Sequence, residues 1–213
     1  MQTLGSIQGF KGVEQIVVDG GSKDNTVNLA LSQKAKVIHT SPGKGRQMNE
    51  GAKIATGKIL LFLHADTKLP PDFDKHVQEA MNKQAVVAGA FQLKIDGPSV
   101  SLRVVERVAN WRSRFLQLPY GDQAIFTSAQ EFHDLGGFSD LPIMEDFELV
   151  CRLRSRGQIA IVPANILTSA RRWERLGTIR TTLINQGILL AYQMGVEPPR
   201  LARWYQQKVC QAK

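Results

Sequence analysis

Cysteine is scarce. Cys151 and Cys210 are the two in 213 residues, far apart and without CxxC spacing, which argues against a disulfide framework or a cysteine-bound zinc and makes a reducing, cytoplasmic setting the expected one. The opening stretch MQTLGSIQGF does not read as a secretory leader. Long apolar runs are also missing. Crossing a bilayer takes roughly 18 consecutive apolar residues, and the longest candidate, residues 183–196, is interrupted by Asn185, Gln186, Gly187 and Gln193. Acids are rare late in the chain: residues 151–213 hold 11 Lys and Arg against 2 Asp and Glu, whereas the first 150 residues are almost neutral. The net charge of +8 is therefore a C-terminal property, and it suggests an acidic partner: substrate phosphates, an anionic membrane face or nucleic acid. No internal repeat or low-complexity tract marks a boundary.

What is present is a hydrophobic content of 43%, enough for one sizeable core, and an alternation of strand-like and helix-like segments. EQIVVDGG, AKVIHT, KILLFLHA and AVVAGAFQLKI are β-branched or apolar runs. Between them lie helix-length stretches, one capped by Asp24 or Asn25, one running through RQMNEGAKIAT to Gly57, and one with Pro71 in its first turn. Near-continuous apolar strands spaced by helices predict an α/β fold with a mostly parallel sheet flanked by helices. Beyond Gly97, residues 99–117 read as a helix, DQAIFTS as a strand, MEDFELVCRLRSRG as a helix stopped by Gly157, and QIAIVP as a strand ended by Pro163. From about residue 174 the pattern is helical, with a break at Pro198 and Pro199. Residues 1–170 are expected to form the main unit and 171–213 a helical extension of the same domain.

Open α/β sheets bind ligands beyond the carboxyl ends of their strands, so acids there are candidates. Asp19 ends the first strand and Asp66 follows the third. Asp19 suits hydrogen bonding to a nucleobase or ribose, and Asp66 suits a hard cation shared with phosphate oxygens; both also suit the ordering of turns. DGGSKDNT adds Ser22 and Asp24 in a tight turn. SPGKGRQMNEG lacks both the P-loop and the GxGxxG spacing, but places Lys44 and Arg46 where they can face a diphosphate. At the start of a helix, Glu145 and Asp146 sit where the helix dipole favours ionised carboxylates. Successive helical residues point about 100° apart, so the pair divides its roles: Asp146 as the base that takes a hydroxyl proton, Glu145 as the supporting group. Arg171, Arg172 and Trp173 form a further cluster, read as arginines on a diphosphate and an indole stacked on sugar or acceptor, or as a packed Trp flanked by solvated charges. Leu183, Ile184, Ile188, Leu189, Leu190 and Tyr192 suit either packing on the main unit or a membrane surface.

In this order, IVVDGGSKDNT, LLFLHADT, GDQAIFTSAQEFHDLGGF and MEDFELVCRLRSRG resemble the GT-A fold of family 2 inverting glycosyltransferases. The resemblance covers residues 13 to about 165. It implies a nucleotide signature at Asp19, Ser22, Asp24 and Thr26, a DxD-type metal site at Asp66, and a catalytic base within the Glu145–Asp146 pair. It also implies a divalent metal (Mn or Mg), a nucleotide-diphosphate sugar donor and a small-molecule or lipid acceptor. With SARRWERLG and the segment after it, the sequence is similar to a bacterial subgroup named as arsenosugar-biosynthesis or selenodomain-associated glycosyltransferases, related to enzymes labelled carotenoid-acid glycosyltransferases. His64 stands where the family has the first Asp of its metal motif, and is read as a metal ligand, a donor contact or a packed side chain. Family members open with an apolar strand and a Pro-x-x-Asn-Glu loop that MQTLGSIQGF does not supply; an in-frame upstream segment encoding that strand is the expectation. The competing readings are a nucleotidyltransferase, an anion-binding module on the basic tail, and an inactive remnant. Nucleic acid is disfavoured, because the basic residues accompany no recognised binding module.

Overall fold

AVVAGAFQLKI and QIAIVPANILTS pair side by side in parallel and form the centre of the molecule. The computed structural model describes residues 2–210; residues 211–213 of the expected extension and the side chain of Cys210 lie outside the described residues. In chain order come α1 (Gln2–Gly5), β1 (Ile16–Asp19), α2 (Thr26–Ser32), β2 (Lys36–His39), α3 (Lys44–Ile54), β3 (Ile59–Leu61), β4 (Thr67–Lys68) and α4 (Phe73–Met81). The long strand β5 (Val86–Asp96), α5 (Val100–Leu116), a 3-10 turn (Gly121–Gln123), β6 (Phe126–Ser128), α6 (Ala129–Asp134) and α7 (Glu145–Arg156) follow. The chain finishes with β7 (Gln158–Ser169), α8 (Arg171–Leu176), α9 (Thr178–Gln193) and α10 (Pro198–Cys210).

The α/β class and its flanking helices are as the sequence predicts. The sheet, however, is mixed rather than mostly parallel. One sheet has the order β3-β6-β5-β7-β4; β5 and β7 run parallel, while β6 is antiparallel to both β3 and β5, and β4 is antiparallel to β7. Apolar runs report burial on both faces, not strand direction. The parallel pair β1 and β2 forms a separate sheet. Both β1 and β3 are edge strands, and a side-chain bridge links their N-terminal approaches: Glu14 accepts from the Thr56 backbone N–H at 2.8 Å and from its hydroxyl at 3.1 Å.

Pro163 does not end its strand, which runs on to Ser169. The register with β5 jumps from Phe91↔Val162 to Gln92↔Asn165, so Pro163 and Ala164 fall in a bulge. There a missing N–H breaks no ladder bond. Pro71 likewise precedes α4, which starts at Phe73 after a left-handed Asp72.

Alternate residues of the strands feed two faces. Ile125 and Ile159 join Phe62, Phe132, Leu149 and Leu153 under α6 and α7, while Phe126, Val162 and Ile166 pack with Phe73 and Val77 of α4. Leu153 is fully buried in the first cluster. Its replacement by Ala is expected to cost about 2–5 kcal/mol, transfer and cavity costs together, measured by urea unfolding. The C-terminal helices are seated on the sheet through a third cluster, in which Trp173 and Ala170 meet Leu93, Ile95 and Leu102.

Candidate active site

Strand direction decides which chain ends meet. β3, β5 and β7 share one direction, so the exits of β3 and β7 lie on one side of the sheet. Because β6 runs against β3, with Leu61 opposite Phe126 and the Phe62 N–H bonded to Ile125 O at 2.9 Å, the entrance to β6 lies on that side too. Loops carrying His64 and Asp66, Gly121 and Asp122, and Arg171 and Arg172 thus gather there.

Gly121 is the joint of the site. Its N–H donates to Asp146 Oδ2 at 2.7 Å, and a Cβ placed on it would stand 2.9 Å from that same oxygen and 3.0 Å from His64 Nε2. Only a residue without a side chain lets the two groups approach from either side. The second Asp146 oxygen, Oδ1, accepts from the Phe147 N–H at 2.7 Å. Two backbone donors therefore fix the carboxylate at the N-terminus of α7. Gly121→Ala is expected to leave the fold intact but displace Asp146 and His64 together, lowering kcat by roughly tenfold or more. Steady-state kinetics beside a thermal melt checks this.

Glu145 takes the buried position of the pair, 6% exposed. Burial first, then the neighbouring Asp146, raises its carboxyl above the ordinary range. α3 closes on it through Gly45, whose missing side chain leaves room for Ser139 O, Phe138 and Glu145. Lys44, in the first turn of α3, acts electrostatically on both His64 and Glu145. The His64 imidazole is held below its usual range by burial and then by Lys44, against the opposing pull of Asp122, Asp146 and Asp66.

Asp122 is a site residue that the strand-end reading missed. Burial raises its carboxyl, opposed by His64 and Arg112, with Asp146 raising it further and Arg172 lowering it. Arg112 of α5 stands 3.4 Å over the Tyr120 ring and donates to Leu118 O at 2.9 Å, which holds the loop ahead of the 3-10 turn.

Asp66 is open: its side chain is 44% exposed, with Arg171 at 3.8 Å as its ion-pair partner. The adjoining backbone is fixed, since Asp66 O accepts from the Ser169 N–H at 3.1 Å. Among the described residues, no three His, Cys, Asp or Glu side chains form a ready metal cage. A hard cation that completes its shell with phosphate oxygens needs one or two protein carboxylates, and the exposed oxygens of Asp66 fit that demand, with His64 beside them.

Asp19 organises a neighbouring loop. Its buried carboxylate accepts from the Gly21 N–H at 3.0 Å and the Ser22 N–H at 3.1 Å, with His39 Nδ1 at 3.3 Å. Hydrogen bonds, those of the Ser22 side chain foremost, bring its pKa down to about 2. Asp24 turns to Thr26, accepting from its N–H at 3.1 Å and its hydroxyl at 2.5 Å. Gln47 of α3 donates to Val18 O at 2.8 Å, tying this loop to the helix that presents Lys44. Two other expected donor contacts are engaged by protein partners: Arg46 pairs with Asp140 at 2.9 Å, and Arg172, whose charge reaches Asp122, donates to the Tyr205 hydroxyl at 2.9 Å. Trp173, expected on a sugar or acceptor, is instead packed in the third cluster, 7% exposed and with its indole N–H unpartnered. The apolar neighbours from β5 and α5 take the place of a stacking ligand.

The model of the family described as "Glycosyl transferase family 2" matches residues 3–139. Among curated relatives, an uncharacterized glycosyltransferase of Rickettsia felis is 29% identical over 160 residues, 67% of this chain and 26% of that protein. One from Rickettsia prowazekii is 34% identical over 106 residues, 46% of this chain and 33% of that protein. The chain spans about a quarter to a third of these relatives' lengths. Among solved structures, Staphylococcus aureus TarS 1-349 in complex with UDP aligns with a TM-score of 0.62 at 18% identity, over 99% of this chain and 65% of that one. The mannosyltransferase PcManGT from Pyrobaculum calidifontis, in complex with GDP-Man and Mn2+, aligns with a TM-score of 0.61 at 16% identity, over 93% and 64%. These likenesses establish the GT-A fold. With the family model matched over well more than half of its length, the chain belongs to glycosyltransferase family 2.

Proposed function

We propose that the chain transfers a sugar from a nucleotide-diphosphate sugar to a small or lipid-like acceptor, with inversion and with a divalent cation, Mn or Mg. The observation that carries this reading is the hydrogen bond from the Gly121 N–H to Asp146 Oδ2 at 2.7 Å, with the His64 imidazole facing the same glycine, beside the open carboxylate of Asp66. Solved structures of like fold lend support: PcManGT was crystallised with GDP-Man and Mn2+, and a Mycobacterium tuberculosis glucosyl-3-phosphoglycerate synthase, aligned with a TM-score of 0.57 at 22% identity over 80% of this chain and 67% of that one, with Mn2+, UDP and glucosyl-3-phosphoglycerate.

Asp146 accepts the proton of an acceptor hydroxyl or carboxylic acid as that oxygen bonds to the anomeric carbon. The bond from that carbon to the diphosphate breaks on the opposite face, so configuration inverts. Asp66, with His64, would hold the cation, which offsets charge on the leaving diphosphate. Lys44, Arg171 and Arg172 add positive charge around the same space, and the Asp19, Ser22 and Asp24 loop takes the nucleoside. Membership of the arsenosugar-biosynthesis or selenodomain-associated subgroup and a cytoplasmic setting are part of the same proposal.

A donor screen with Mn or Mg tests it. Release of a nucleoside diphosphate is expected; release of pyrophosphate would instead mark a nucleotidyltransferase, and failure to bind any donor an inactive remnant.

A further inference from the structure

One face of the molecule is apolar and faces water. Along α5, Val100, Val104, Val108, Trp111 and Phe115 recur at helical spacing, each exposed by 55% to 78%. They form one stripe along the helix. Its opposite side carries Leu102, Glu106, Ala109 and Ser113 into the interior. α9 repeats the arrangement: Ile184 and Ile188 are buried, while Ile179, Leu183, Leu190 and Met194 are exposed. The two helices meet where the Ser101 hydroxyl donates to Thr178 Oγ1 at 2.9 Å, so Val100 and Ile179 each lie one residue from the junction. Such a contiguous apolar surface is unusual for a water-exposed face and marks an interaction site.

Charge selects the occupant. The one acid in α5 and α9 is Glu106, which is turned inward, 9% exposed and paired with Arg103 at 3.0 Å. Arg107 and Arg114 are exposed beside the α5 stripe, and Arg180 is exposed on α9. A second copy docking by this helix would set Arg107 and Arg114 against their own counterparts, an arrangement of like charges that disfavours pairing. An anionic bilayer offers what the face lacks. Its headgroups answer the arginines, its acyl boundary takes the valines and Phe115, and Trp111 suits the interface between them.

We propose that the outer faces of α5 and α9 form a docking surface for an anionic lipid bilayer, with α5 lying along the membrane plane. The inner side of α5 sends Arg112 onto Tyr120 beside the candidate active site, which sets that site close to the bilayer. The docking itself does not depend on the transfer reaction.

Flotation of the full chain with vesicles tests this. Binding to vesicles containing phosphatidylglycerol, and not to phosphatidylcholine alone, is expected, with a blue shift of Trp emission. Arg107→Glu with Arg114→Glu should weaken binding by ~10-fold or more, and Trp111→Ser with Phe115→Ser should abolish it, both with unchanged melting temperature. Arg200→Glu with Arg203→Glu, on α10, should leave more binding than the α5 pairs. The proposal is overturned by absence of vesicle binding, by binding indifferent to the α5 variants, or by a concentration-dependent dimer that Trp111→Ser dissociates.

Discussion

Asp146→Asn is expected to abolish sugar transfer and leave nucleotide binding largely intact. The substitution keeps the shape of the side chain and removes its ability to take a proton. It also retains one oxygen, so one of the bonds from Gly121 and Phe147 survives. Loss of a general base typically costs 10²–10⁴-fold, far more than the small shift expected in donor affinity. Glu145→Gln supplies the contrast. Its side chain is buried, 6% exposed, where that of Asp146 is only half-buried, which keeps it from an incoming acceptor hydroxyl, so a smaller kinetic loss is expected. Single-turnover kinetics on the two variants, with donor binding measured in parallel, separates the roles. Full turnover in Asp146→Asn with loss in Glu145→Gln would exchange them.

Asp66→Ala is expected to remove metal-stimulated donor binding. The residue's oxygens are exposed and its ion-pair partner is 3.8 Å away, so the fold should barely notice the change, within about 0.5 kcal/mol. Even groups behind a metal ligand change metal affinity by roughly 10–100-fold, and loss of the ligand itself should reach at least that range. The same loss is expected when the unaltered chain is treated with a chelator, and none in addition when the variant is. Calorimetry of a nucleoside diphosphate with and without Mn2+ measures both. Binding by Asp66→Ala that still rises with Mn2+ would remove the residue from the metal site.

These two acids were legible in the sequence because local chemistry marks them: one follows an apolar strand, and the other begins a helix rich in acids. Asp122 was not, although GDQAIF places it just ahead of a buried strand. With a mostly parallel sheet in view, attention goes to strand exits. The reversal of β6 brings a strand entrance to the same side, and nothing in a short apolar run announces its direction. Pro163 misled for a related reason, since a bulge that accommodates it is a property of the pairing with β5. Trp173 shows the limit in the other direction. An indole between arginines has the composition of a sugar platform, and only the positions of Leu93 and Leu102 reveal that its ring is covered.

A crystal structure with a nucleoside diphosphate and Mn2+ bears most directly on the convergence of these groups around one substrate. The expected result has the pyrophosphate between Asp66 and the loop of Asp19, Ser22 and Asp24, the cation held by Asp66, and Asp146 across the space left for the sugar. A nucleotide bound away from that loop, or a cation that Asp66 does not touch, would contradict it.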